Sequence, residues 1–161
     1  MGLNIKAYGR LKLIPYEEVE FGSYGLPSDD RVRSFFSNPD YPYHIEDIDP
    51  EAFYLCRDKF EFRAGSYAGY NNFRNELAKL AGYDDSLDVW NNKYQGPFVE
   101  LINFSDCAGT IGFKIASKLL HDFKDFEGHA KLNVDPFFYE SYRNWMRACE
   151  MASKAGAISF N

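Results

Sequence analysis

No apolar run in the chain approaches the ~20 residues that a membrane-spanning helix needs, which argues against a membrane partner. Positive charge is in deficit as well: 18 Lys and Arg face 24 Asp and Glu, a formal net charge of -6. That balance removes any whole-protein attraction to a phosphate backbone, so nucleic acid is disfavoured as a partner. Cysteine is scarce and odd in number, three in all and without paired spacing. The count argues against a disulfide framework and for a reducing compartment. The opening Met1-Gly2-Leu3-Asn4-Ile5-Lys6 carries no long apolar leader segment, so a cytoplasmic setting is expected. Tryptophan is rare too, with 2 residues, yet aromatics reach 18% because there are 15 Phe and 12 Tyr. Most of these rings are expected to fill a core, and a minority to line a cleft where ring faces stack on a planar ligand.

With 161 residues, 45% of them hydrophobic and 26% charged, the chain reads as one soluble globular domain over 1–161. Leu3 to Tyr8 and Leu11-Lys12-Leu13 alternate with period two, which predicts half-buried strands. From Pro15 to Pro50, prolines and glycines interrupt any period, so residues 15–50 read as a long irregular excursion with short strands at most. Five aspartates lie within it, and Phe35, Phe36, Tyr41 and Tyr43 make it too aromatic for a plain linker. Short strands are expected at Ala52–Cys56 and Phe60–Phe62. Tyr70, Phe73, Leu77, Leu80 and Ala81 then recur at helical spacing, with Gly82 placed to end the helix.

Residues 83–95 read as a polar connection carrying Trp90, and 97–104 fits a helix or a strand equally. An apolar stripe from Gly112 to Phe123 predicts another helix. Asp135-Pro136 is an N-cap with a first-turn proline, opening a helix whose face is Phe138, Tyr142, Trp145, Cys149 and Ala152. Ala157–Phe160 would return as a final strand. The fold expected is α+β, with a small, mostly antiparallel sheet from the N- and C-terminal segments. Three or four helices pack on it beside the long irregular loop.

Two segments carry candidate chemistry. In Phe62-Arg63-Ala64-Gly65-Ser66-Tyr67-Ala68-Gly69-Tyr70-Asn71, a strand, a glycine-rich bend and a helix start follow one another. Gly65 and Gly69 permit close backbone approach, Ser66 or Asn71 can cap the helix, and Arg63 supplies a charged fork for phosphate or carboxylate. Neither the P-loop nor the dinucleotide glycine pattern is present, and a capped turn explains the segment as well. In Gly96–Gly112, Glu100, Asn103, Ser105 and Asp106 could hydrogen-bond ribose hydroxyls or a base edge. Equally, Ser105 or Asp106 could simply cap the long helix that follows.

Both segments, together with the Met1-Gly2-Leu3 opening, resemble a group of short, functionally unassigned proteins of bacteriophages and prophage regions. That resemblance implies a cytoplasmic accessory protein of a phage or its host, and it carries over no catalytic residue. Catalytic constellations are weak in the residues themselves. No local signature pairs Cys56, Cys107 or Cys149 with His44, His121 or His129, although Cys107 near a helix start is the best reactive candidate. His121-Asp122 with Asp125 is a faint metal-site pattern, and the acidic loop lacks EF-hand spacing. No metal and no cofactor are expected.

The expected function is noncatalytic binding of a small, anionic, nucleotide-derived ligand, sequestering a host immune signal. Arg63, Gly65, Ser66, Tyr67, Tyr70, Asn71, Asn103, Ser105 and Asp106 are the candidate contacts. The alternatives are an inhibitor that docks on a host protein through an acidic surface, and a nucleotide-directed hydrolase. Self-association is also open.

Overall fold

The alternation at the N-terminus becomes strand β1 (Gly2–Gly9), whose Leu3, Ile5 and Ala7 are fully buried. The structure is a computed structural model that describes residues 2–92 and 95–161. In chain order β1 is followed by β2 (Lys12–Ile14), β3 (Val32–Arg33), β4 (Phe53–Leu55), β5 (Asp58–Ser66), β6 (Gly109–Gly112) and β7 (Ala157–Phe160). The helices are α1 (Tyr67–Leu80), α2 (Ser86–Asn92), α3 (Val99–Ile102), α4 (Phe113–Ala130) and α5 (Pro136–Ala152). The main sheet is antiparallel in the order β5-β1-β7-β6, so the two ends of the chain meet at its centre. The fold is α+β. Among the described residues no helix is long and apolar enough to cross a membrane.

One face of this sheet is covered by α1, α4 and α5, each burying the stripe its spacing announces. Trp145 lies at the centre, with Phe62 at 5.2 Å, Phe160 at 5.5 Å and Tyr70 at 5.7 Å between ring centroids. Each such side chain removed from water contributes about 1.5–3 kcal/mol, so much of the aromatic excess is spent on packing. The caps follow the sequence. Ser66 Oγ accepts from Gly69 N at 3.0 Å, and Asp135 Oδ1 accepts from Phe137 N at 3.0 Å.

The 15–50 excursion is built of short 3-10 turns at Tyr16–Glu18, Ser23–Gly25 and Pro42–Ile45, with the two-residue β3 between them. It folds back over the other face of the main sheet. A small second sheet of order β2-β4-β3 forms there, and Phe35, Ile45, Ile48 and Cys56 make a second core on Tyr8 and Ala157. Asp47 pins the excursion to α4, its Oδ2 accepting from Lys114 N at 2.8 Å. That carboxylate occupies the space a Cβ would need at Gly112, so glycine there serves close approach.

Two expectations are corrected and one ambiguity is resolved. The polar connection over 83–95 contains α2, while its Lys93 and Tyr94 lie outside the described residues. The ambiguous 97–104 stretch holds the single turn α3. The long helix does not begin near Ser105 and Asp106, because the fully buried β6 intervenes and α4 starts at Phe113. Ser105 Oγ instead accepts from the amides of Cys107 and Ala108, both at 3.2 Å, and closes a turn. Cys107 is exposed on that turn, away from any helix N-terminus.

Candidate functional site

Helical spacing puts Tyr70 and Arg74 one turn apart on the inner face of α1, where Phe73 and Leu77 are also buried. Arg74 is only 4% exposed, and it forms no ion pair among the described residues. Carbonyls hold it instead: Nη1 donates to Phe104 O at 2.7 Å and to Ile102 O at 3.1 Å, at the end of α3. Nη2 donates to Asn71 Oδ1. The guanidinium lies between the rings of Tyr70 (4.8 Å) and Trp90 (5.3 Å), an arrangement in which π faces stabilise a desolvated cation. Two buried polar atoms here, Arg74 Nε and the Tyr70 hydroxyl, have no hydrogen-bond partner among the described residues. Burial pushes the Tyr70 phenol far up, opposed by Arg74 and reinforced by Asp106.

Above Arg74 opens a cavity of about 540 Å³. Its ring-bearing walls are Trp90, Tyr41 and Phe104, and Asn38, Asp40, Asn103 and Asp106 supply polar groups. Each wall is braced. Trp90 Nε1 donates to Ile102 O at 2.7 Å, while the residue as a whole remains 42% exposed. His44 stacks on Phe104 at 4.7 Å, its Nε2 lies 2.8 Å from Glu100 O, and burial holds its pKa below the usual value. Asn38 donates to Ala108 O at 2.8 Å and accepts from Asp40 N at 3.1 Å, tying the excursion to the 105–108 turn. The Asp40 and Asp106 carboxylates make no hydrogen bond or ion pair among the described residues.

Of the residues singled out in sequence, Asn103, Ser105 and Asp106 line this cavity, and Tyr70 and Asn71 contact its arginine. Arg63, Gly65, Ser66 and Tyr67 stand elsewhere. Strand alternation decides this: Phe62 faces Trp145, so Arg63 on β5 turns to the opposite face and is exposed. It borders a separate groove of about 400 Å³ with Asn4, Lys6 and Asn161. Gly65 sits at the edge of a β-bulge with φ 113°, Ser66 is consumed as the cap of α1, and Tyr67 begins that helix. Glu100 turns away from the cavity to Lys118 (2.5 Å), and burial pushes its carboxyl up.

Sequence reading missed Arg74, Asp40 and Tyr41 and placed Trp90 on a plain connection. Arg74 did leave a signal, a charge inside the apolar stripe of α1. Asp40 and Tyr41 left none, because only tertiary packing brings the excursion here. His121 and Asp122 diverge: His121 pairs with Asp125 (3.3 Å) in solvent, whereas Asp122 accepts from Phe98 N (3.0 Å) and pairs with Lys118 (2.7 Å). Among the described residues no group of three or more His, Cys, Asp or Glu could hold a metal ion. Cys56 and Cys149 are buried, and burial raises the Cys56 thiol to about 11. No family model matches the chain, and no curated protein or solved structure matches it either.

Proposed function

We propose that the protein is a noncatalytic binder of a small, nucleotide-derived ligand held in the cavity above Arg74. The observation that carries this reading is a buried cation, without a carboxylate partner among the described residues, beneath a cavity of about 540 Å³, within the range of small-molecule sites. The outer part of Trp90 is free to stack a base, a contact that contributes roughly 1–3 kcal/mol. Asp40 and Asp106 would accept from ribose hydroxyls or an exocyclic amine. Arg74 balances one anionic oxygen, and the two carboxylates repel further negative charge. A ligand with a single phosphate or carboxylate therefore fits better than a polyphosphate. The resemblance to short phage and prophage proteins makes a sequestered host signal the biological sense of such binding.

A thermal-shift panel of mononucleotides and cyclic nucleotides tests the reading. A ligand at about 100 times its Kd should add about 2.7 kcal/mol of stability. Trp90→Ala and Asp106→Asn should each remove most of that gain. If no compound stabilises the parent, or both variants bind as it does, the reading fails.

A further inference from the structure

From Leu13 to Asp30 the chain carries Glu17, Glu18, Glu20, Asp29 and Asp30 and no lysine or arginine. Only Asp29 is paired, with Arg31 at 2.8 Å; Glu17, Glu18, Glu20 and Asp30 are exposed and unpaired among the described residues. Leu13, Tyr16, Phe21, Tyr24 and Leu26 are exposed among these acids. Phe21 rests on Tyr16 (5.3 Å) and Phe53 (5.5 Å), which gives the face a fixed aromatic base. Two backbone bonds, Gly22 N to Leu26 O and Ser28 N to Glu20 O, both 2.8 Å, close the loop beyond it. At its tip Tyr24 is 99% exposed and adopts φ 67°, with Gly25 beside it. Next to the loop is a groove of about 250 Å³. Ile14, Val19, Pro27, Val32 and Leu55 line it together with Glu18, Glu20 and the ion pair of Asp29 with Arg31.

Exposed apolar side chains set among charges mark an interaction face, and tyrosine is among the residues that anchor such faces. The charge selects the partner. A second copy would bring the same carboxylates, and an anionic membrane would be repelled. A lysine or arginine has an apolar stem for the aliphatic lining and a charged head for Glu18 and Glu20, since Asp29 already pairs Arg31. We propose that this face docks a basic, partly apolar segment of another protein. One basic side chain of that segment enters the groove toward Glu18 and Glu20, and Tyr24 seats in the partner. This surface is separate from the Arg74 cavity and does not depend on the ligand reading.

The test titrates isotopically labelled full chain with an amphipathic lysine- and leucine-rich peptide, and with its glutamate-for-lysine counterpart. Amide shifts should move over residues 13–32 and 53–55 with the basic peptide only, and added salt should weaken the effect. Tyr24→Ala should lower affinity about tenfold, and the triple Glu17→Lys, Glu18→Lys, Glu20→Lys variant should lose binding while its other amide shifts stay in place. Equal binding of the acidic peptide, shifts centred on α5 or the Arg74 cavity, or an unchanged Tyr24→Ala affinity would overturn the proposal.

Discussion

Arg63 and Arg74 flank the same strand-to-helix junction, and the two have opposite surroundings. Arg63 lies on a strand whose alternate residues face Trp145, so it points to solvent on the outer face of the sheet. Arg74 lies on a helix whose inner stripe it interrupts, and it is sealed between two rings with three oxygen acceptors. Proximity in sequence made Arg63 the natural anion anchor. The difference between periods of two and 3.6 residues sends the charge at Arg74 into the molecule instead.

The largest break in this comparison is Arg74→Ala. It strips the Arg74 donor from the Phe104 carbonyl and one of two donors from the Ile102 carbonyl, which keeps Trp90 Nε1, and it removes the cation packed on Tyr70 and Trp90. An unsatisfied buried carbonyl costs about 1–3 kcal/mol and the lost packing adds to it, so roughly 2–4 kcal/mol of stability should be lost in denaturant unfolding. A loss below about 1 kcal/mol would mean that the guanidinium is not held as described. Arg63→Ala should change stability by no more than about 0.5 kcal/mol.

Asp47→Ala comes next. It removes an acceptor of the Lys114 amide and a tie between the excursion and α4, and the loss of a cap of this kind costs about 0.5–2 kcal/mol. Hydrogen exchange should then quicken over the 42–48 turn and the first turn of α4 while α5 stays protected. Unchanged exchange at Lys114 would contradict the tie.

A smaller effect concerns pH. Burial places the folded-state pKa of His44 below its ordinary 6.5, so below that value the unfolded chain binds more protons at this site than the folded chain. Its contribution should be complete above pH ~6.5 and should fall as the pH drops toward the folded-state pKa. His44→Gln should flatten that part of the stability profile, seen by urea unfolding at stepped pH. A parent profile equally steep with and without His44 would remove this group from the account.

How much of this was legible in the sequence depended on range. The three long helices, their caps at Ser66 and Asp135, and the meeting of the chain ends followed from local periods. β6 escaped because four buried residues, Gly109-Thr110-Ile111-Gly112, are too few to show a period, and its glycines look like a helix approach. The cavity was half legible: Asn103, Ser105 and Asp106 carry hydrogen-bonding chemistry on a turn, which local reading can find. Asp40 and Tyr41 reach the same cavity only because Phe35, Ile45 and Ile48 bury the excursion against the sheet. No local pattern encodes that docking.

The central claim is that ligand binds over Arg74 and not at the Arg63 bend. Calorimetric titration of the most stabilising mononucleotide against the parent, Trp90→Ala and Arg63→Ala proteins tests it most directly. The account predicts affinity about tenfold or more weaker for Trp90→Ala, from the lost stacking face, and a change of less than about twofold for Arg63→Ala. Unchanged affinity in Trp90→Ala together with a strong loss in Arg63→Ala would contradict it.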